Sequence, residues 1–407
     1  MQTRRRSLEL REHSTLRAVW LDSEDVEALR ASPARLDVRA RADGRFDVHA
    51  KQIVGTVRTR QVDLVIRPKI ELDGFLELLG HAPWLARLRG RSDLGTWDDF
   101  LPALAELYAH ALKTALRRGI LLGYESRREA LSYCRGRVDS LSLGARRFGV
   151  IPPIDCEFEE FSPDIELNQR LRAAARFLVR SGLGSRTATA ELRAALDQFA
   201  SVSDRRFHPP LRPLPVDRRL GLYGPAVDLA NLVLSSASLD LRSGAARSVG
   251  FLLDMDHLYE AWVARMLREE LGASKDIRQP PAHRHPPKLH LDFDRTVKLE
   301  PDVLWSPEGR PSVPIDAKYK RGTRLGNPDV YQMAAYCAGL GVRRGVVFCV
   351  DVDPGHLRLR NGVEIWVRRL SVEGGPAARK AAVQREARFL AGLEGTHSSG
   401  EAPGSLY

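Results

Sequence analysis

Leu299-Glu300-Pro301-Asp302-Val303-Leu304-Trp305, followed after a short break by Val313-Pro314-Ile315-Asp316-Ala317-Lys318-Tyr319-Lys320, places one acid in each of two apolar runs and a lysine two residues after the second acid. The break, Ser306-Pro307-Glu308-Gly309-Arg310, has the proline and glycine of a turn, so the two runs predict neighbouring antiparallel strands. Side chains repeat every second residue along a strand, which puts Asp316 and Lys318 on one face. Two carboxylates and an ammonium at one sheet edge suit phosphodiester hydrolysis. That reaction needs its non-bridging oxygens neutralised, hydroxide made near neutral pH and the leaving oxygen stabilised, and a divalent ion supplies all three. Magnesium takes oxygen ligands and keeps several waters, so Asp302 and Asp316 suffice, with the backbone carbonyl of Ala317 as a third ligand and manganese able to substitute. Lys318 then orients the attacking water and meets charge developing on phosphorus.

An isolated Asp-x-Lys triplet is most often a solvated strand edge. Here its neighbours argue otherwise. Upstream, Asp256, His257 and Glu260 open an apolar helix at 258–271, and Glu260 is the candidate accessory acid, although an acid there could simply complement the helix dipole. His257 reads equally well as a ligand or as a structural histidine. Downstream, Asn327-Pro328 predicts a helix start, with asparagine as the cap. On that helix Gln332 and Tyr336 stand one turn apart, placed to contact a DNA strand by hydrogen bonding and stacking, or else to partner each other in the core. Lys320, Arg321 and Arg324 in the adjoining loop are candidate phosphate contacts, or an ordinary solvated charge run.

Outward from this site the chain changes period three times. In the first hundred residues, Leu36, Val38, Ala40 and Ala42 alternate with polar residues, Asp43-Gly44 turns a hairpin, and Val62, Leu64 and Ile66 alternate up to Pro68. From Leu101 to Leu116 the apolar spacing is helical and Gly119 marks its stop; further helical windows cover 165–179, 188–200 and 226–234. The last third mixes helix and strand: Leu289, Leu291 and Phe293 alternate, 345–350 is a continuously apolar strand, Asn361-Gly362 turns a hairpin, and 377–393 is a closing helix. The expected fold class is a multidomain α+β and α/β chain. A β-rich N-terminal domain spans 1–95, a mainly helical region 96–245, an α/β domain with the acids 246–395, and a disordered tail 396–407.

With 407 residues and 43% hydrophobic composition the chain can bury more than one core. A formal charge of +11 favours a polyanionic partner. Cys134, Cys156, Cys337 and Cys349 have neither zinc-site nor disulfide-framework spacing, which suits a reducing compartment. No signal peptide or membrane-length apolar run is present, so a soluble cytoplasmic protein with no membrane partner is expected.

The Pro-Asp, Asp-Ala-Lys and Gln332-x-x-x-Tyr336 constellation resembles the PD-(D/E)xK nuclease superfamily, and other segments narrow the resemblance to the McrC family, the nuclease subunit of the McrBC modification-dependent restriction system. Val65-Ile66-Arg67-Pro68-Lys69-Ile70 is similar to its I-x-P-K-I element, with 75–79 as the short helix after it, and Arg135-Gly136-Arg137-Val138 to its RGR-I segment. Cys156-Glu157-Phe158-Glu159-Glu160-Phe161, with Asp164 and Asn168, resembles the stretch opening its central helices, and 253–260 the segment opening its nuclease domain. The likeness runs from about 50 to 370. It implies a magnesium-dependent endonuclease acting on DNA, methylated DNA included, with an oligomeric McrB-like AAA+ GTPase as partner. In that family the N-terminal part stimulates the GTPase, which would make the β-rich domain a docking module. The chain has no G-x-x-x-x-G-K-[ST] loop, so no nucleotide is expected to bind it. A stand-alone RecB-like exonuclease and a non-cleaving adaptor tethering an AAA+ motor to DNA remain alternative readings.

Overall fold

The computed structural model describes residues 5–32, 36–80, 97–138, 153–207, 211–212, 214, 221–238, 249–271, 277–278, 289–306 and 312–393. The expected tail 396–407, the domain boundaries near 95 and 245 and the turn at 307–310 lie outside these residues. The fold is mixed α and β with several sheets, and the chain divides into two compact units, one of Met1–His81, Arg242–Arg247 and Leu252–Tyr407 and one of Ala82–Leu241 and Ser248–Phe251.

In the first unit, Val62–Arg67 lies between Arg6–Arg11, its parallel partner, and Ile53–Arg58, its antiparallel one. The strand Thr15–Val19 pairs with Phe46–His49, which turns back onto Asp37–Ala40 through the expected Asp43-Gly44 hairpin, Gly44 taking φ +76°. Alternation buries Leu64, Ile66, Val38 and Val48, and they form one core with Leu29 of the helix Ser23–Ala31 and with Leu252. Helix Leu72–Leu78 is stapled to the same unit: buried Arg379, on helix Pro376–Gly392, lies 2.7 Å from Asp73 and 3.3 Å from Glu77, and Trp262 Nε1 donates to Glu77. These bonds put residues of the β-rich segment into the unit that carries the acids.

A six-stranded mixed sheet organises the rest of this unit, in the order Ile277–Arg278, Val303–Trp305, Val313–Gly322, Arg344–Val352, Glu364–Arg369, Gly355–Arg358. Its centre is parallel and its apolar runs are continuous, as a sheet covered on both faces requires. Helix Asn327–Leu340 packs Met333 and Cys337 against Val347 and Cys349. Helix Met255–Glu270 brings Tyr259 against Tyr319, ring centroids 6.2 Å apart.

Two local expectations shift. The alternation from Leu289 yields a strand only at Leu289–His290, and Leu291 and Phe293 are exposed. Asp292 accepts hydrogen bonds from the backbone of Thr296 and Val297 and from the Thr296 hydroxyl, so a side-chain-closed turn displaces the ladder. Asn327 is the first helical residue, with Gly326 as the cap and Pro328 in the first turn.

The second unit packs helices Trp97–Ala115, Glu166–Ser181, Arg186–Gln198 and Gly224–Ser236, beside a small sheet of Gly123–Leu131, Ile154–Ser162 and Arg137–Val138. Its helix punctuation matches the sequence signals. Gly119 follows the first helix at φ +88°, Gly182 closes the second in the left-handed region, and Ser185 caps the third by accepting from Ala188 N. Tyr108, fully buried, donates to the carbonyl of Leu171 at 2.7 Å, joining two of the helices through their interior.

Candidate functional site

The pairing of Val303 with Ile315 fixes where the acids fall. One step beyond that pair sets Asp302 opposite Asp316, and the backbone N–H of Ala317 donates to Asp302 Oδ2 at 2.8 Å. Along a strand the N–H and C=O of one residue leave on the same side, so the Ala317 carbonyl is sent toward the same edge as its N–H. Asp316 is buried at 1% exposure, and its Oδ2 lies 2.7 Å from Lys318 Nζ. Its Oδ1 is buried with no hydrogen-bond partner. Native proteins rarely leave such an oxygen bare.

The electrostatics follow from this crowding. Burial, first, and then Asp316 and Glu260 raise the Asp302 carboxyl, and burial likewise raises Asp316 against the pull of Lys318. Each carboxyl disfavours the other's ionisation, and a cation at the pair would relieve that. Burial opposes the Lys318 charge, but Asp316 and Asp302 outweigh it and raise its pKa, so it stays an ammonium. Hard oxygen donors with one orphaned carboxylate oxygen fit magnesium. Among the described residues no three His, Cys, Asp or Glu side chains form a metal cage, yet magnesium needs only one or two carboxylates because it keeps its waters.

Helix Met255–Glu270 presents its first turn to this charge. Asp254 caps it, accepting from Asp256 N and His257 N, which leaves Asp256 and Glu260 half-buried and His257 exposed. Burial, then Asp254 and Glu260, push the Asp256 carboxyl up to about 7, while Lys318 and Lys320 pull it down. Asp256 therefore lies within the field of the site's lysines, a role the sequence reading left to Glu260. Only its spacing, four residues before Glu260 and one turn away, could have signalled it. His257 contacts Glu260 at 3.8 Å, its side chain 80% exposed.

Of the remaining predicted residues, Gln332, Tyr336, Lys320 and Arg321 already have partners. Tyr336 is buried, accepts from Gln332 Nε2 at 2.7 Å and donates to the carbonyl of Glu300 at 2.8 Å, two residues before Asp302. Burial and Asp316 push its hydroxyl up to about 12, so it stays a donor. Lys320 is bonded to both oxygens of buried Asp329, Arg321 contacts Glu373, and Arg324 is exposed.

Behind the site, Tyr319 points to the sheet face opposite Lys318 and donates to Glu12 Oε1 at 2.8 Å. The same oxygen accepts from Lys69 N at 2.6 Å, and Glu12 is fully buried, with Oε2 unpartnered. Nothing in the local sequence pattern signals this contact.

Comparison with known proteins adds a family and a fold. The sequence matches the family described as McrBC 5-methylcytosine restriction system component over residues 48–349. No curated protein matches it. Among solved structures the chain is similar to one in the refined half-complex from the tetradecameric assembly of Thermococcus gammatolerans McrB AAA+ hexamers with bound McrC. The identity is 16% and the TM-score 0.57, covering 95% of this chain and 100% of that one. A chain of the cryo-EM structure of the Thermococcus gammatolerans McrBC complex matches at 18% identity with a TM-score of 0.36, covering 67% of this chain and 90% of that one. At these identities the likeness concerns fold, and only the first carries it.

Proposed function

The chain belongs to the family of McrBC 5-methylcytosine restriction system components, and from that premise we propose that it is the magnesium-dependent DNA endonuclease subunit of such a system. The observation that carries the reading is Asp316: a buried carboxylate with an orphaned oxygen, set beside Asp302 and paired with Lys318. In the proposal this unit is a PD-(D/E)xK nuclease domain at 246–395. Asp302, Asp316 and the Ala317 carbonyl hold magnesium, or manganese in its place. The ion, when bound, supplies charge neutralisation at the phosphate and a water acidic enough to attack near neutral pH.

The chain's own groups do the rest. Lys318, kept charged by the acids, donates to a phosphate oxygen or to the attacking water and meets negative charge as it develops. Asp256 and Glu260 add negative potential that favours a cation at the pair, and a carboxyl with a pKa near neutrality can also take up a proton there. Tyr336 and Gln332 hold the Glu300 carbonyl and so fix the approach of Asp302. Lys320, Arg321 and Arg324 contact DNA phosphates, the first two by exchanging Asp329 and Glu373 for a phosphate.

The partner is proposed to be an oligomeric McrB-like AAA+ GTPase whose hydrolysis this chain stimulates, docking on the β-rich segment 1–95. McrC bound to McrB AAA+ hexamers in the structurally similar assembly supports that choice. No helix among the described residues is long and apolar enough to cross a membrane, and free thiols at all four cysteines suit a cytoplasmic setting. The test is plasmid cleavage with the cognate GTPase. It should require magnesium and fall by about 10²–10³-fold or more in Asp316→Ala and in Lys318→Ala, the scale of removing a group that stabilises developing charge. Undiminished cleavage in either variant removes the site. Digestion of linear DNA alone, without a partner, would instead favour a RecB-like exonuclease, and DNA binding with no cleavage under any metal an adaptor.

A further inference from the structure

Helix Glu166–Ser181 carries Arg172, Arg176 and Arg180 at four-residue intervals, a spacing that aligns them along one face. Beyond the next helix the chain returns to that face. Arg205 and Arg206, with Asp204, close over Arg176 and Arg180 around a cavity of about 140 Å³ whose apolar floor is Phe177. This volume is well below the roughly 300–1,000 Å³ of a pocket for a drug-sized molecule, and it suits a single small anionic group. Asp204 is the one acid among the lining residues. It contacts Arg176 and lies 3.4 Å from Arg172, but its side chain is 53% exposed, so water weakens its hold. Burial, then Arg172 and Arg180, hold the Arg176 pKa below the usual guanidinium range, the mark of positive charge that Asp204 does not cancel.

We propose that this pocket binds a backbone phosphate of nucleic acid, with Arg176 and Arg206 as its donors and Asp204 as the internal group the phosphate displaces. Guanidinium groups present forked donors that match phosphate oxygens two at a time. The arginine row repeats every four residues, about 6 Å at 1.5 Å per residue, so it offers charge to more than one phosphate of a strand, where charges recur about every 3.4 Å. That repeated demand distinguishes a nucleic-acid backbone from an isolated carboxylate on a protein partner. A chain with net charge +11 is also drawn to polyanions as a whole.

The test uses the full chain and a short fluorescently labelled DNA duplex, with metal chelated so that nothing is cut. Binding is read by anisotropy across a salt series. Arg176→Ala/Arg206→Ala should weaken binding several-fold and reduce the log–log salt slope by about 1–2, roughly 0.9 per lost phosphate contact. Asp204→Asn should act in the opposite direction and tighten binding, an outcome that misfolding cannot imitate. Unchanged affinity and slope in a double variant that retains its circular dichroism would overturn the proposal. So would displacement of the duplex by millimolar inorganic phosphate at constant ionic strength, which would assign the pocket to a free anion. Retained DNA binding with loss of a protein partner would assign it to an acidic surface and likewise overturn it. Because the readout is binding without metal, failure of the acid pair to cleave leaves this inference standing, and its own failure leaves the acid pair untouched.

Discussion

Asp316 and Glu12 are the same chemical problem with two solutions. Both are carboxylates with 1% or less of their surface exposed, both have an oxygen with no hydrogen bond, and burial raises the pKa of both. Glu12 is met by neutral donors fixed in place, the backbone N–H of Lys69 and the hydroxyl of Tyr319. Asp316 is met by a second acid and a charged ammonium. A group meant to hold structure gathers donors that never change. A group with a like-charged neighbour is left short of a cation, and that shortage is the sign of chemistry.

The sharpest way to break this contrast is to empty each position. Glu12→Ala strands the buried Tyr319 hydroxyl and the part-buried Lys69 N–H at about 1–3 kcal/mol each, so the protein should lose about 2–6 kcal/mol of stability in denaturant melts, and a change under about 0.5 kcal/mol would show that Glu12 holds nothing. Asp316→Asn should do the reverse to the metal-free protein. It relieves the repulsion with Asp302 and should raise stability by about 1 kcal/mol while abolishing cleavage, the usual trade at a functional site. A destabilised Asp316→Asn would place Asp316 in the structural class with Glu12.

The smallest effect is in pH. Because the folded state raises the Glu12 pKa above its ordinary 4.5, folding favours the protonated carboxyl. Its contribution is complete below that ordinary value and is lost as pH climbs through the raised one. Glutamine does not titrate, so the stability of the natural protein minus that of Glu12→Gln should fall as pH rises from about 4.5 and level off once the carboxyl is ionised. Paired thermal melts across that range measure it; a flat or rising difference would mean that the folded state does not raise this carboxyl.

The two carboxylates also differ in how legible they were. Asp302, Asp316 and Lys318 could be read because strand pairing and the two-residue repeat are local rules, and both acids lie in one short stretch around a turn. The Asp43-Gly44 hairpin was legible for the same reason, whereas the cap of the helix at Asn327 fell one residue earlier than its sequence signal, on Gly326. Asp256 needed knowledge of how far a helix start reaches into a sheet edge. Tyr336 shared a helix face with Gln332 as expected, but only the fold could show that Gln332 donates to the Tyr336 hydroxyl and that this hydroxyl donates to the Glu300 carbonyl. Glu12 was invisible, since no periodicity connects a residue following an early strand to a tyrosine next to Lys318.

That bond spans 307 residues, and Arg379 reaches Asp73 across 306. Chains emerge from the ribosome at about 5–20 residues per second, so Glu12 waits on the order of 15–60 s for its hydroxyl donor. For most of that interval the early sheet also lacks Leu252, a member of its core, and keeps apolar surface and a strand edge open. Order in time is thus imposed on the molecule: the early strands reach their final packing only as the strand Val313–Gly322 arrives. Non-local pairing of this kind slows folding, and the interval before Tyr319 emerges is when a chaperone would have most to protect.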